Sequence, residues 1–119
     1  MSLEDRYFKK SILNTLSSKL NLKLLILFGS FAKKTQTNNS DLDLAFLSKD
    51  NITNIERWNI SQSLASDLNI DVDLIDLQKA SDVLKFQIVS TGEIIYNSGV
   101  DTFLDKVYID YLQLNEDRR

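Results

Sequence analysis

The sequence predicts an α/β domain, a small mixed sheet flanked by helices. Short continuous apolar runs alternate along the chain with longer stretches whose apolar residues recur at helical spacing. Neither repeats, low-complexity tracts nor a linker interrupt that alternation, and 119 residues give room for one domain spanning 1–119 with one modest core.

Phe8, Ile12, Leu13, Leu16 and Leu20 form one stripe of a first helix. Leu24 to Phe28 is a continuous apolar run, a buried strand that ends at Gly29. A short helix beginning at Ser30 and a polar loop follow, and Asp41-Leu42-Asp43-Leu44-Ala45-Phe46-Leu47 makes the next strand. Asn51 to Leu68, with Ile52, Ile55, Trp58, Leu64, Ala65 and Leu68, is a second long amphipathic helix. Trp58 is assigned to core or helix packing in preference to a base-stacking platform. That helix returns the chain to a strand over Asp71 to Leu77. Ala80 to Ser90 reads as a helix ended by Thr91-Gly92, and Glu93 to Tyr96 as a short strand. Phe103, Leu104, Val107, Tyr108, Tyr111 and Leu112 form a wide apolar stripe on a last helix; its Tyr108 and Tyr111 side is a candidate contact surface, with core packing the simpler role.

Composition narrows the function classes. The net charge of −3 disfavours binding to a polyanion, so a nucleic-acid acceptor is not expected. There is no cysteine, hence no disulfide or thiolate–metal site, which fits a reducing compartment. The stretch Met-Ser-Leu-Glu-Asp-Arg lacks the apolar core of a signal peptide, and no run is long enough to span a bilayer; a cytoplasmic location without a membrane partner is expected. With no histidine, a carboxylate must serve wherever a general base or metal ligand is needed.

Chemistry concentrates between Gly29 and Asp43. Gly29 has no side chain and lets the backbone approach a phosphate closely, while Ser30 brings a hydroxyl and free N–H groups at a helix start. Lys33 adds a cation that suits phosphate, with a solvated loop as the equal alternative for Lys33 and Lys34; Ser40 is most simply a turn or capping residue. Asp41 and Asp43 lie two apart, so in a strand both carboxylates project from one face while Leu42 and Leu44 pack behind. Hard oxygen ligands of this kind suit Mg2+, which retains water and phosphate oxygens in its shell. Alone, a Gly-Ser pair is usually a turn and an Asp-x-Asp pair usually a solvated surface. An EF-hand calcium loop is excluded, because Phe46 stands where its glycine would be.

Gly29-Ser30 followed by Asp41-x-Asp43 resembles the signature of the polymerase-beta-like nucleotidyltransferases, and most closely that of the minimal nucleotidyltransferases. The resemblance spans most of the chain. It implies a polymerase-beta-like fold and a third carboxylate on the next strand, where Asp73 takes the usual position and Asp71 is the weaker choice. It implies catalytic and metal-binding roles for Asp41, Asp43 and Asp73, and nucleotide-binding roles for Gly29, Ser30, Lys33 and Ser40, with two Mg2+ ions and ATP as substrate. One departure stands out: the family pattern usually has Arg then Gly where this chain has Lys33 and Lys34.

Leu84 to Asn97, followed by a helix bearing Tyr108-Ile109-Asp110-Tyr111, is similar to the tail of the nucleotidyltransferase antitoxins of HEPN/MNT toxin–antitoxin pairs. That resemblance implies transfer of AMP from ATP to a tyrosine of a HEPN ribonuclease partner, which is thereby silenced. Length points the same way. After Asp73 the chain holds only a helix, a short strand and another helix, so the acceptor surface is expected from a partner protein or from a homodimer. Two other readings stay open, a stand-alone transferase acting on a small-molecule hydroxyl and a noncatalytic module that neutralises its partner by occlusion.

Overall fold

The computed structural model describes residues 3–37 and 39–117; Met1 and Ser2 of the charged N-terminal stretch, Asn38 of the polar loop, and Arg118 and Arg119 lie outside it. Five helices and four strands follow one another as α1 (Leu3–Lys19), β1 (Leu22–Phe28), α2 (Gly29–Lys33), β2 (Leu42–Ser48), α3 (Asn54–Leu68), β3 (Val72–Asp76), α4 (Asp82–Thr91), β4 (Glu93–Asn97) and α5 (Asp101–Asp117). The strands form one mixed sheet in the order β3-β2-β1-β4. β1 runs antiparallel to β2 and β4, whereas β2 and β3 are parallel and joined by the α3 crossover.

The continuous apolar character of β1 has a direct cause: both faces of the sheet are covered. Leu25 and Leu27 point with Leu42, Leu44 and Phe46 into a core closed by Ile12 and Leu16 of α1 and Leu64 of α3. Leu24 and Ile26 point the other way, with Ala45 and Leu47, against Ile88 of α4 and the partly buried Phe103 and Leu104 of α5. Strand periodicity therefore assigns Asp43, which alternates with Leu42 and Leu44, to the α4 face.

Helix boundaries follow local chemistry. Thr53 caps α3 through its side chain, which accepts from the Glu56 N–H at 3.1 Å, and Glu56 Oε1 accepts in return from the Thr53 N–H at 3.4 Å. This capping box starts the helix at Asn54, not at the expected Asn51, and leaves Ile52 as a buried residue of the approach. Ser81 caps α4 by accepting from the Leu84 N–H at 3.2 Å, and Gly92 ends it as expected.

Trp58 corrects a second expectation. It is 57% exposed and belongs to no core cluster, and Ile55 beside it is 74% exposed. The face of α3 that meets the sheet runs instead through Ser61 and Leu64, with Ile60 and Leu68 partly buried. On α5 only Val107 of the apolar stripe is buried; Tyr108 and Leu112 are 41% and 60% exposed. Tyr111 stacks on Phe86 of α4 with centroids 3.8 Å apart, and Tyr108 meets the same ring edge-on at 5.3 Å.

Candidate active site

β1 delivers Gly29 to the end of the sheet, and the turn into α2 depends on it. Gly29 has φ +71°, and a β-carbon there would lie 2.1 Å from Oδ2 of Asp43. Both the backbone angle and the space thus call for glycine. Phe28 pairs with Asp43 across the β1–β2 ladder, which brings the Gly-Ser turn directly over the carboxylate. Ser30 enters α2 half-buried; its carbonyl accepts from the Thr35 N–H at 2.9 Å, closing the turn behind the helix.

On the other side of β2, Asp43 pairs in register with Asp73 of β3. In a parallel pair, residues in register project from the same face, so the two carboxylates are neighbours. Asp41 lies one residue ahead of β2 and not inside it as expected, and it is exposed. It is still near enough to act: the Asp43 carboxyl is held above its ordinary value of 3.8 first by burial, then by the charges of Asp73 and of Asp41. Asp71 has no such effect on Asp43. Its carbonyl accepts from the Leu42 N–H at 2.8 Å, fixing where β3 joins β2.

Two cavities, each of about 350 Å3, share Leu84 of α4; one is lined by Asp73 and the other by the Gly29 turn, and Asp43 lines neither. One holds Gly29 and Lys33 with Gln87 and Thr91 of α4. The other holds Asp73 with Arg57 and Lys79. Ser40 and Lys34 line two further cavities. Ser40 fixes a turn, its Oγ accepting from the Thr37 N–H at 2.8 Å, and lines a separate cavity of about 520 Å3 with Asp41, Asn69 and Asp71. Lys34 diverges from Lys33: it takes the left-handed conformation at φ 58° and lines a cavity of about 450 Å3 on the α1 side, with Phe8, Lys9 and Glu93. Gln87, Thr91, Arg57 and Lys79 escape sequence reasoning because each is a polar residue on a helix or loop with no motif to mark it. Only their spacing from Leu84 and Asp73 could have drawn attention to them.

The donor set fits a hard divalent cation. Burial and the charges of Asp73 and Asp41 raise the proton affinity of the half-buried Asp43, and a bound cation would relieve that. Among the described residues no group of three acidic side chains is placed to hold a metal ion by itself, so a nucleotide's phosphates and water would have to supply much of the shell.

A family model described as polymerase beta, nucleotidyltransferase matches residues 10–100. The chain belongs to this nucleotidyltransferase family. Among curated relatives of this nucleotidyltransferase, protein adenylyltransferase MntA of Shewanella oneidensis is 43% identical over 100 residues, covering 82% of this chain and 72% of the relative. Among solved structures, a toxin–antitoxin crystal structure with AMP-PNP superposes with a TM-score of 0.87 at 40% identity, over 92% of this chain and 91% of the other. A tri-AMPylated Shewanella oneidensis HEPN toxin in complex with its MNT antitoxin gives a TM-score of 0.82 at 35% identity, over 95% and 91% of the two chains. The nucleotidyltransferase fold expected from the Gly-Ser and Asp-x-Asp pattern is therefore the fold found. Among the described residues no helix is long and apolar enough to cross a membrane.

Proposed function

We propose that this chain transfers AMP from ATP to a tyrosine hydroxyl of a partner HEPN toxin and so neutralises it. The observation that carries this reading is the in-register pair Asp43 and Asp73 beneath the Gly29 turn, in a chain 43% identical to a protein adenylyltransferase. Similarity to chains from complexes solved with AMP-PNP and with an AMPylated HEPN toxin supports both the donor and the acceptor class. The unit that acts is the single domain 1–119, working in the cytoplasm.

Gly29 and Ser30 receive the outer phosphates of ATP through backbone N–H groups and the serine hydroxyl, and Lys33, lining the same cavity as Gly29, adds charge. Ser40 orders the loop that leads into Asp41. Asp41, Asp43 and Asp73 would hold Mg2+, two ions in the family pattern, which would neutralise the phosphates and lower the pKa of the acceptor hydroxyl. Asp73, on the edge strand and exposed, faces the side from which an acceptor arrives, orients its hydroxyl and takes up its proton. Attack at the α-phosphorus expels pyrophosphate towards Gly29.

Co-expression with the HEPN partner and intact-mass measurement tests the proposal. Wild type should add AMP mass to the partner and Asp43→Asn should not; a partner left unmodified by wild type would overturn it. Loss of the modification with Asp43→Asn while the complex persists would also dispose of occlusion as the sole activity. The small-molecule reading would be favoured by turnover of a free metabolite without any partner.

A further inference from the structure

The cavity beside Asp73 contains two cations that the proposed transfer does not yet use. Arg57 reaches over the outer edge of β3, where its Nη1 donates to the Leu74 carbonyl at 3.0 Å. Lys79, from the turn after β3, donates to the Ile52 carbonyl. Among the described residues neither forms an ion pair, in contrast to Lys9, which pairs with Glu93, and Lys106, which pairs with Asp110. Each backbone contact uses one donor and leaves the rest of the guanidinium fork and of the ammonium group without an ion-pair partner. The acidic groups sharing the cavity are Asp73 and the buried Asp76, whose Oδ1 already accepts from the Gln78 N–H at 3.0 Å.

We infer that Arg57 and Lys79 form an acceptor subsite for a phosphodiester, namely that of an AMP group already attached to the partner. The inference rests on the proposed adenylyl transfer and names what that site accepts in later rounds. A cavity of about 350 Å3 is within the size range of small-ligand sites and lies on the Asp73 side of the carboxylate pair, opposite the Gly29 and Lys33 cavity that takes the donor. After the first transfer, the end of the acceptor is no longer a phenol but a ribose hydroxyl next to an anionic phosphate. An unmodified hydroxyl carries no formal charge for two cations to pair with; a phosphodiester accepts charge-assisted hydrogen bonds from both. In each later round a ribose hydroxyl oxygen bonds to the α-phosphorus of a new ATP. The bond from that phosphorus to the bridging oxygen breaks, pyrophosphate leaves with the electron pair, and the hydroxyl proton passes to Asp73 and from it to solvent. The tri-AMPylated toxin found with a relative is the kind of product such a subsite would favour.

The test is the AMP count per partner molecule, read by intact mass, for wild type and for Arg57→Gln, Lys79→Gln and the double variant. Glutamine removes the charge and keeps a polar N–H donor on a shorter side chain, and far-UV circular dichroism verifies folding. Expected is single AMPylation at a rate within about twofold of wild type, with species carrying two or more AMP groups depleted about tenfold or more, matching loss of charge-assisted contacts. An unchanged distribution, or equal loss of the first and later additions in a folded variant, overturns the subsite, as does a raised KM for ATP as the main effect. Single addition by wild type would sink the subsite and leave the transfer reading intact; no addition by wild type would sink the transfer reading itself.

Discussion

The α-carbon of Gly29 and the carboxylate of Asp43 occupy adjoining space so closely that a single methyl group between them has nowhere to go, since a β-carbon would stand 2.1 Å from Oδ2. The Gly29 turn and the carboxylate on β2 are thus one steric unit, although they lie fourteen positions apart in the sequence.

Gly29→Ala is the most direct probe of that unit. Alanine must adopt φ +71° at a cost of about 1–2 kcal/mol, and Asp43 must rotate away. Transfer activity should fall about 100-fold or more, because a displaced carboxylate no longer addresses the reacting oxygens. Thermal unfolding should show the strain as a lowered Tm. Unchanged activity would mean that the position of Asp43 does not matter.

Asp43→Asn should separate stability from activity. Folding raises the pKa of Asp43, so ionising it costs more in the native state than in the unfolded chain. Its contribution to stability is best below the unfolded-state pKa of 3.8 and deteriorates as pH rises through the higher folded value. The variant should therefore melt at or above the wild-type temperature at neutral pH, and lose that advantage in acid. Melting curves across this range, without added metal, check the sign.

Metal dependence should follow the same carboxylates. Mg2+ should raise the Tm of wild type, because it binds only the folded arrangement, and do so weakly or not at all for Asp41→Asn and Asp43→Asn. Chelation should abolish transfer, with activity restored by Mg2+. If Asp43 serves as a carboxylate, activity should decline on acidification from a higher pH than an aspartate of ordinary pKa 3.8 would give.

Lys34→Gly should stabilise the protein. Lys34 pays for a left-handed backbone at φ 58° where the family pattern has glycine. Relief of that strain, less the added freedom of glycine in the unfolded chain, predicts a gain of about 0.5–1 kcal/mol. A lower Tm would show instead that the lysine side chain contributes contacts on the α1 side worth more than the strain.

The strand-turn-carboxylate unit was legible in the sequence because each part has a local chemical reason: an apolar run buried on both faces, a glycine at positive φ, and acids alternating with leucines. Trp58 was misread for an equally physical reason. Helical spacing groups Ile55 and Trp58 with other apolar residues of α3, but Trp58 points about a third of a turn away from Leu64, and spacing does not say which stripe meets the sheet. Asp41 shows a similar limit: alternation placed it in the strand, whereas the first parallel pairing is Leu42 with Val72. Arg57 and Lys79 could not be found at all without the crossover that folds α3 beside the end of β3.

The guanidinium of Arg57 over the Leu74 carbonyl has a consequence for assembly. β3 and β4 are the two rims of the sheet, and a rim with free carbonyls and amides invites another strand. At β3 that invitation is withdrawn: Arg57 occupies one acceptor, and the exposed Asp71 and Asp73 place like charges along the same margin. Any association that lengthens the sheet is thereby steered to β4, at the far edge from Asp73, and the approach to Asp73 stays clear of strand-to-strand adhesion.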